Sequence, residues 1–201
     1  DEIPNPVAKR VRFWDLAATE KKQVKDDPDE TVGSLVSKRY DNDTRKDIFC
    51  VEHQVFGFWA WEQLLEAIAN TARHDGMEVP VVLEEEPGSG GKNQVAAVKA
   101  HFKQYPDLQY HKVIGQSAKK VGDRVMAANH WFAIAAEGRM EMVKGSWNER
   151  TLGQIDGFTQ IVHDDRVTSI TGAMSSLNPF RSWVRVPFFT IAGKPKEVKT
   201  T

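Results

Sequence analysis

The segment Val79 to Lys92, VPVVLEEEPGSGGK, constrains this chain more than any other. Its apolar run, Val79 to Leu83, has the β-branched content of a buried central strand. The run ends in three consecutive carboxylates, Glu84, Glu85 and Glu86. Successive strand side chains point to opposite faces, so Glu84 and Glu86 share one face and Glu85 takes the other. Pro87 stops the strand, and Gly88-Ser89-Gly90-Gly91 makes a loop feeding Lys92 and a helix. A carboxylate at the mouth of a buried strand, beside such a loop and a lysine, is a place for a divalent cation to meet a phosphate.

The loop is not a nucleotide-triphosphate loop. That motif needs Gly-x-x-x-x-Gly-Lys followed by Ser or Thr, whereas Glu86 stands at the first glycine position and Asn93 replaces the hydroxyl. A carboxylate there opposes a triphosphate. Backbone amides of Gly88 to Gly91 still suit a single phosphodiester.

Around this segment the hydrophobic spacing predicts an ordered set of elements. Val11 to Thr19 reads as a first strand with Asp15 near its centre, and Glu20 to Glu30, with Pro28, as an exposed connection. Thr31 to Lys38 and Asp47 to Phe56 read as two more strands around the polar loop Tyr40 to Lys46, which favours an antiparallel meander. Helical periodicity marks Trp59 to His74, a second helix through Val95, Val98 and Phe102 that Pro106 ends, and a third through Val125, Ala128, Phe132 and Ala135. Gln109 to Ile114 and Met140 to Val143 are strand candidates. Trp147 to Phe158 reads as a helix interrupted by Gly153 and Gly157, and Val167, Ile170, Met174 and Leu177 mark a last helix closed by Asn178-Pro179. The order implies an α/β fold with a mixed sheet flanked by helices.

A chain of 201 residues with 27% charged and 40% apolar residues reads as one globular domain, or a domain plus a tail. Its formal net charge of -1 excludes a generally basic nucleic-acid coat, so any polyanion must be held by a local patch. Lys92, Lys119, Lys120 and Arg124 are candidates for that grip; solvated helix-end side chains are the competing reading. The single cysteine, Cys50, excludes an internal disulfide and a cysteine zinc site. No signal-peptide pattern or membrane-length apolar run occurs, which makes a cytoplasmic location and no membrane contact the expectation. The opening residues, Asp1 to Pro6, suggest a piece cut from a longer polypeptide.

Three acids stand at separated but comparable places: Asp15 on the first strand, Glu84 at the end of its strand, and Asp164-Asp165 at the start of the last helix. If these elements pack together the carboxylates converge, making a site for magnesium or manganese, which prefer oxygen ligands. Two such ions about 4 Å apart activate a water and stabilise the leaving oxygen in phosphodiester hydrolysis. Each acid also has a simpler reading: Asp15 suits a loop-facing or hydrogen-bonded acid, three glutamates in a row suit a solvated patch, Asp164 is a good helix cap, and Asp165 suits the positive helix end; His163 suits a turn or a partner behind the ligands. The six tryptophans, Trp14, Trp59, Trp61, Trp131, Trp147 and Trp183, read as packing residues rather than base-stacking platforms.

The ordered set WDLAATE (Trp14 to Glu20), TVG (Thr31 to Gly33), EEEPGSGGK (Glu84 to Lys92), GDR (Gly122 to Arg124), GSWN (Gly145 to Asn148) and HDD (His163 to Asp165) resembles the C-terminal nuclease domain of tailed-bacteriophage large terminase subunits. The resemblance spans roughly Arg12 to Leu177. It implies a ribonuclease H-like fold and a two-metal endonuclease, using Mg2+ or Mn2+, that cuts concatemeric double-stranded viral DNA during genome packaging. Asp15, Glu84 and Asp165 are then similar to the family's catalytic metal ligands, with Asp164 and Glu86 as further ligands. One departure stands out: relatives often follow HDD with x-Val-Asp-Ala, whereas Arg166-Val167-Thr168-Ser169 offers no extra carboxylate. The resemblance also implies a packaging ATPase domain on the same native chain, a small terminase subunit and a portal ring as partners, and action in the host cytoplasm rather than in the virion. Residues 1–10 then read as a linker remnant, 11–180 as the nuclease domain and 181–201 as a C-terminal tail. The rivals are a branched-DNA resolvase or transposase-like nuclease, a non-catalytic interaction module of the packaging assembly, and, more weakly, an enzyme acting on a small phosphorylated substrate.

Overall fold

A computed structural model describes residues 9–17, 30–85, 89–118, 121–158, 160 and 163–178. The chain runs β1 (Lys9–Asp15), β2 (Thr31–Asp41), β3 (Lys46–Gly57), α1 (Trp61–Asp75), β4 (Val81–Glu85), α2 (Ser89–Phe102), β5 (Val113–Ser117), α3 (Val121–Ala136), β6 (Met140–Met142), α4 (Asn148–Gly157) and α5 (Asp165–Leu177). The strands form one sheet in the order β5-β4-β1-β2-β3-β6. β1, β2 and β3 make the expected antiparallel meander, while β4 lies parallel to β1, β5 to β4 and β6 to β3. Among the described residues, β2 therefore runs against the other strands, which share one direction.

Strand alternation divides the core. On β1, Val11 and Phe13 face a cluster built with Trp131 of α3, Trp147 and the α5 stripe Val167, Ile170, Ala173, Met174 and Leu177. Trp14 faces the other way, onto Leu64 and Ile68 of α1, Val95 and Val98 of α2, and Val81 and Leu83 of β4. Each fully buried Ile, Leu or Phe of this kind contributes about 1.5–3 kcal/mol relative to exposure. Trp14, Trp131 and Trp147 are buried packing residues as expected, and Trp183 lies outside the described residues.

α5 approaches the sheet closely because its contact surface is small. A Cβ on Gly172 would stand 2.2 Å from Phe13 Cε1 and 2.3 Å from its Cζ. Gly172→Ala should gain about 1 kcal/mol of helix propensity, yet overpacking against a fixed ring costs about 1–3 kcal/mol. The variant should unfold at lower denaturant concentration than the wild type; a midpoint at or above the wild-type value would show that the ring can move aside.

Several expected boundaries are corrected. β1 begins inside the expected linker and ends at Asp15, so this residue closes the strand instead of standing at its centre. The strand bearing Glu84 starts at Val81, reaches Glu85 and lies second from an edge. Ser89, Gly90 and Gly91 belong to the first turn of α2 and not to a loop. The fifth strand is Val113–Ser117, later than Gln109 to Ile114, because Tyr105 to His111 close a series of backbone turns after α2. Gly153 does not interrupt α4, since a single interior glycine costs only about 1 kcal/mol. Residues 18–29, 86–88 and 179–201 lie outside the described residues.

Candidate functional site

Parallel strands deliver their C-terminal ends to one rim of a sheet. β1 and β4 are paired through Trp14 and Leu83, so Asp15 and Glu84 are the next residues along on neighbouring strands. Both follow the alternation that puts Phe13 and Val82 under α5, and they share that face. The antiparallel register places Val32 beside Asp15, which brings the residue preceding β2, Glu30, to the same rim. Its backbone N–H donates to Asp165 Oδ2 at 3.0 Å. The ends of β1 and β4 and the start of α5 thereby bring the charges of Glu84 and Asp165 within electrostatic reach of Asp15.

The electrostatics of Asp15 record the meeting. Loss of water around its carboxyl raises its pKa well above the ordinary carboxylate range, the charges of Glu84 and Asp165 and a hydrogen bond with Glu84 raise it further, and Arg124 opposes them. Two carboxyl groups joined by a hydrogen bond need a proton between them. Without one, like charges about 4 Å apart in a partly buried setting repel by about 4 kcal/mol. A divalent cation removes that repulsion and offers the oxygen coordination that such a donor set prefers. Among the described residues no three His, Cys, Asp or Glu side chains are gathered tightly enough to hold an ion outright. The all-oxygen donor set fits magnesium or manganese in chemistry: the Asp15 and Glu84 carboxyls are hydrogen-bonded, and the charge of Asp165 acts on Asp15.

The remaining expected residues are dispersed. Asp164 occupies the cap position of α5 but makes no side-chain cap hydrogen bond; instead its Oδ1 accepts from Thr168 Oγ1 at 3.4 Å, and its carbonyl takes the Thr168 N–H at 2.8 Å. Thr168, where the resemblance would place a further acid, is buried in the α5 interface. Lys92 is exposed in the first turns of α2. Arg124, in the first turn of α3, is near enough to Asp15 to act on its ionisation. Glu86, Lys119 and Lys120 lie outside the described residues. Cys50 is buried, its thiol pushed up to about 11 chiefly by burial and further by Glu52 and Glu141, so it stays protonated and is a poor nucleophile or ligand.

Nothing in the sequence marks Glu30, which closes the charged connection Glu20 to Glu30. Only 15% of its side chain is exposed, and its carboxylate pairs with Arg166 at 3.0 Å and Arg150 at 3.2 Å. Arg166 is almost fully buried against the ring of Phe56. Burial lowers its pKa from the ordinary arginine value, and Glu30 counters that effect. Behind it, Gln54 donates to Ser34 Oγ at 2.8 Å, Ser34 and Ser169 hydroxyls lie 2.6 Å apart, and Ser169 donates to the Arg166 carbonyl at 3.0 Å. This buried polar network pins the first two turns of α5, and with them Asp165, against β2 and β3. The only hint in sequence was polarity without periodicity: Ser34, Gln54 and Ser169 are ordinary surface residues until the register is known.

No family model matches the chain, and no curated protein sequence matches it. Among solved structures, the large terminase nuclease from thermophilic phage G20c with bound zinc aligns at a TM-score of 0.50 and 15% identity, covering 84% of this chain and 85% of that one. The likeness is one of fold. This chain therefore has the ribonuclease H-like mixed sheet that the sequence motifs implied. The magnesium-bound form of the same phage nuclease aligns at a TM-score of 0.48 with 15% identity over 84% of this chain and 85% of that one. Fowlpox virus resolvase, solved with its substrate Holliday junction DNA, aligns at 0.40 with 13% identity over 83% and 97%. Neither of these two weaker likenesses bears on the reaction or its substrate.

Proposed function

We propose that the chain is a metal-dependent DNA endonuclease, the nuclease domain of a large terminase subunit, which cuts concatemeric double-stranded viral DNA during genome packaging in the host cytoplasm. The observation that carries this reading is the convergence of Asp15, Glu84 and Asp165 at one rim of a fold shared with a phage terminase nuclease. Asp15, Glu84 and Asp165 would hold magnesium or manganese, with Asp164 and Glu86 as further oxygen donors. Bound there, two ions supply Lewis-acid activation of water and charge stabilisation at the leaving oxygen.

The chain's own residues do the rest. The hydrogen bond from Glu30 orients Asp165. The polar network beneath α5 holds that carboxylate at a fixed depth. Arg124 offsets the local negative charge that would otherwise repel a polyanion. Lys92, Lys119, Lys120 and Arg124 grip the backbone through phosphates, so cutting has little sequence preference. An ATPase domain on the same native chain, a small terminase subunit and a portal ring complete the proposed assembly. Among the described residues no helix is long and apolar enough to cross a membrane.

Supercoiled plasmid incubated with the chain tests this directly. Nicked and linear products should appear with manganese or magnesium and vanish with a chelator. Intact plasmid at every manganese concentration would reject the enzyme reading and leave the interaction module. Faster cutting of four-way junctions than of linear duplex would favour a resolvase.

A further inference from the structure

α4 opens with Asn148, Glu149 and Arg150, which sets a guanidinium in the first turn, where the helix dipole already places positive partial charge. Glu30 holds it there. Arg150 Nη1 donates to Glu30 Oε1 at 3.2 Å, while Glu30 Oε2 accepts from Arg166 Nη2 at 3.0 Å. Both guanidiniums lie over Phe56, Arg166 at 3.8 Å from the ring centroid and Arg150 at 5.8 Å. They differ in access to solvent: 1% of the Arg166 side chain is exposed against 66% of that of Arg150. Arg166 neutralises Glu30 within the core, and an ion pair as exposed as the second adds little to stability. What the second arginine gains is a tether to Glu30, the residue that precedes β2 beside the end of β1.

That position is tied to the carboxylates. The residue whose side chain holds Arg150 is the one whose backbone N–H donates to Asp165 Oδ2. A polyanion brought to Asp15, Glu84 and Asp165 meets negative charge at the centre and needs cationic contacts at the margin. A guanidinium has five donors in a planar fork that matches phosphate oxygens, and Glu30 engages one nitrogen. Held by a carboxylate and an aromatic face, the group loses little further freedom on binding.

We propose that Arg150 is a substrate-binding residue that takes a nucleic-acid phosphodiester flanking the one to be cut, and so sets how the backbone lies across the rim. This assignment rests on the nuclease reading above. A phosphate contact carries no base information but fixes register and orientation.

The test is manganese-dependent cleavage of a linear duplex by the whole chain at several salt concentrations. It compares wild type with Arg150→Ala, Arg150→Lys and Lys103→Ala, the last an exposed lysine just beyond the end of α2 remote from the rim. Arg150→Ala should raise KM about tenfold while kcat changes less than about twofold, and should flatten the salt dependence of kcat/KM by about one phosphate's worth. Arg150→Lys should retain the salt slope and recover only part of KM, because a point charge replaces a fork. Lys103→Ala should match wild type, and all three variants should melt with it. Wild-type KM and slope in Arg150→Ala, or an equal effect from Lys103→Ala, would overturn the assignment while leaving the nuclease reading intact. A wild-type chain that does not cut overturns the nuclease reading, and this inference falls with it.

Discussion

Asp15→Asn is expected to reduce manganese-dependent cleavage by about a thousandfold or more, with no loss of the fold. The substitution removes one negative charge from a rim that holds Glu84 and Asp165 as well, and keeps the shape of the side chain. Its second effect has the opposite sign. The ordinary carboxylate value is 3.8, and the folded environment holds Asp15 well above it. Between those two values the folded chain keeps a proton that the unfolded chain has released. Stability of the metal-free protein therefore falls as pH rises from about 3.8 through the folded pKa, and the deficit persists above it. Asp15→Asn has no proton to give up, so its melting temperature should decline less across that window and exceed that of wild type near neutral pH without metal. Parallel melting curves for the two proteins would show that the carboxylates are farther apart than the site requires. Added manganese should raise the melting temperature of wild type and have less effect on the variant.

The largest stability effect is expected away from the rim. Arg12 is fully buried on β1, and its Nε and Nη2 donate to the two carboxylate oxygens of Asp75, each at 2.7 Å, while Nη1 donates to the Gly33 carbonyl at 2.9 Å. Asp75 closes α1, so this pair locks the helix to the sheet. Removing one partner of such a pair strands a charge without water, at a cost of about 3–5 kcal/mol. Asp75→Ala should therefore lower the melting temperature by about 10 °C or more. Replacing both residues with apolar ones of similar volume should recover much of the loss. A single variant that melts within about two degrees of wild type would mean that solvent reaches Arg12.

How much of the molecule is legible in its sequence depends on how local each signal is. The alternation in Val11 to Trp14 and the periodicity of Val167, Ile170, Met174 and Leu177 depend only on neighbours along the chain, and both elements form as their spacing requires. Strand ends were less legible. Asp15 ends β1 because pairing with β2 stops at Val32 and pairing with β4 at Leu83, facts about partners that no window of residues contains. The turns from Tyr105 to His111 hid the start of β5 for the same reason. At the rim, Asp15, Glu84 and Asp165 stand out in the sequence as acids at the ends of elements, and the charges of Glu84 and Asp165 reach Asp15. Glu30 and Arg150 do not stand out, because the pair is separated by 120 positions and each looks like an ordinary surface charge. Arg12 was hidden more deeply, since an arginine inside a strand reads as solvent-facing until its partner at the end of α1 is known.

The order of the three acids along the chain bears on when the proposed site is completed. Asp15 and Glu84 both precede α4 in the chain, whereas Asp165 follows Asp15 by 150 positions, at the start of the helix that covers β1 and β2. Domains form as their segments leave the ribosome. A nascent chain that has emerged only as far as α4 has two acids of the trio, an uncovered sheet face and no means of closing the rim. Docking of α5 thus couples two events: the step that seals the core also delivers the last carboxylate of the proposed site.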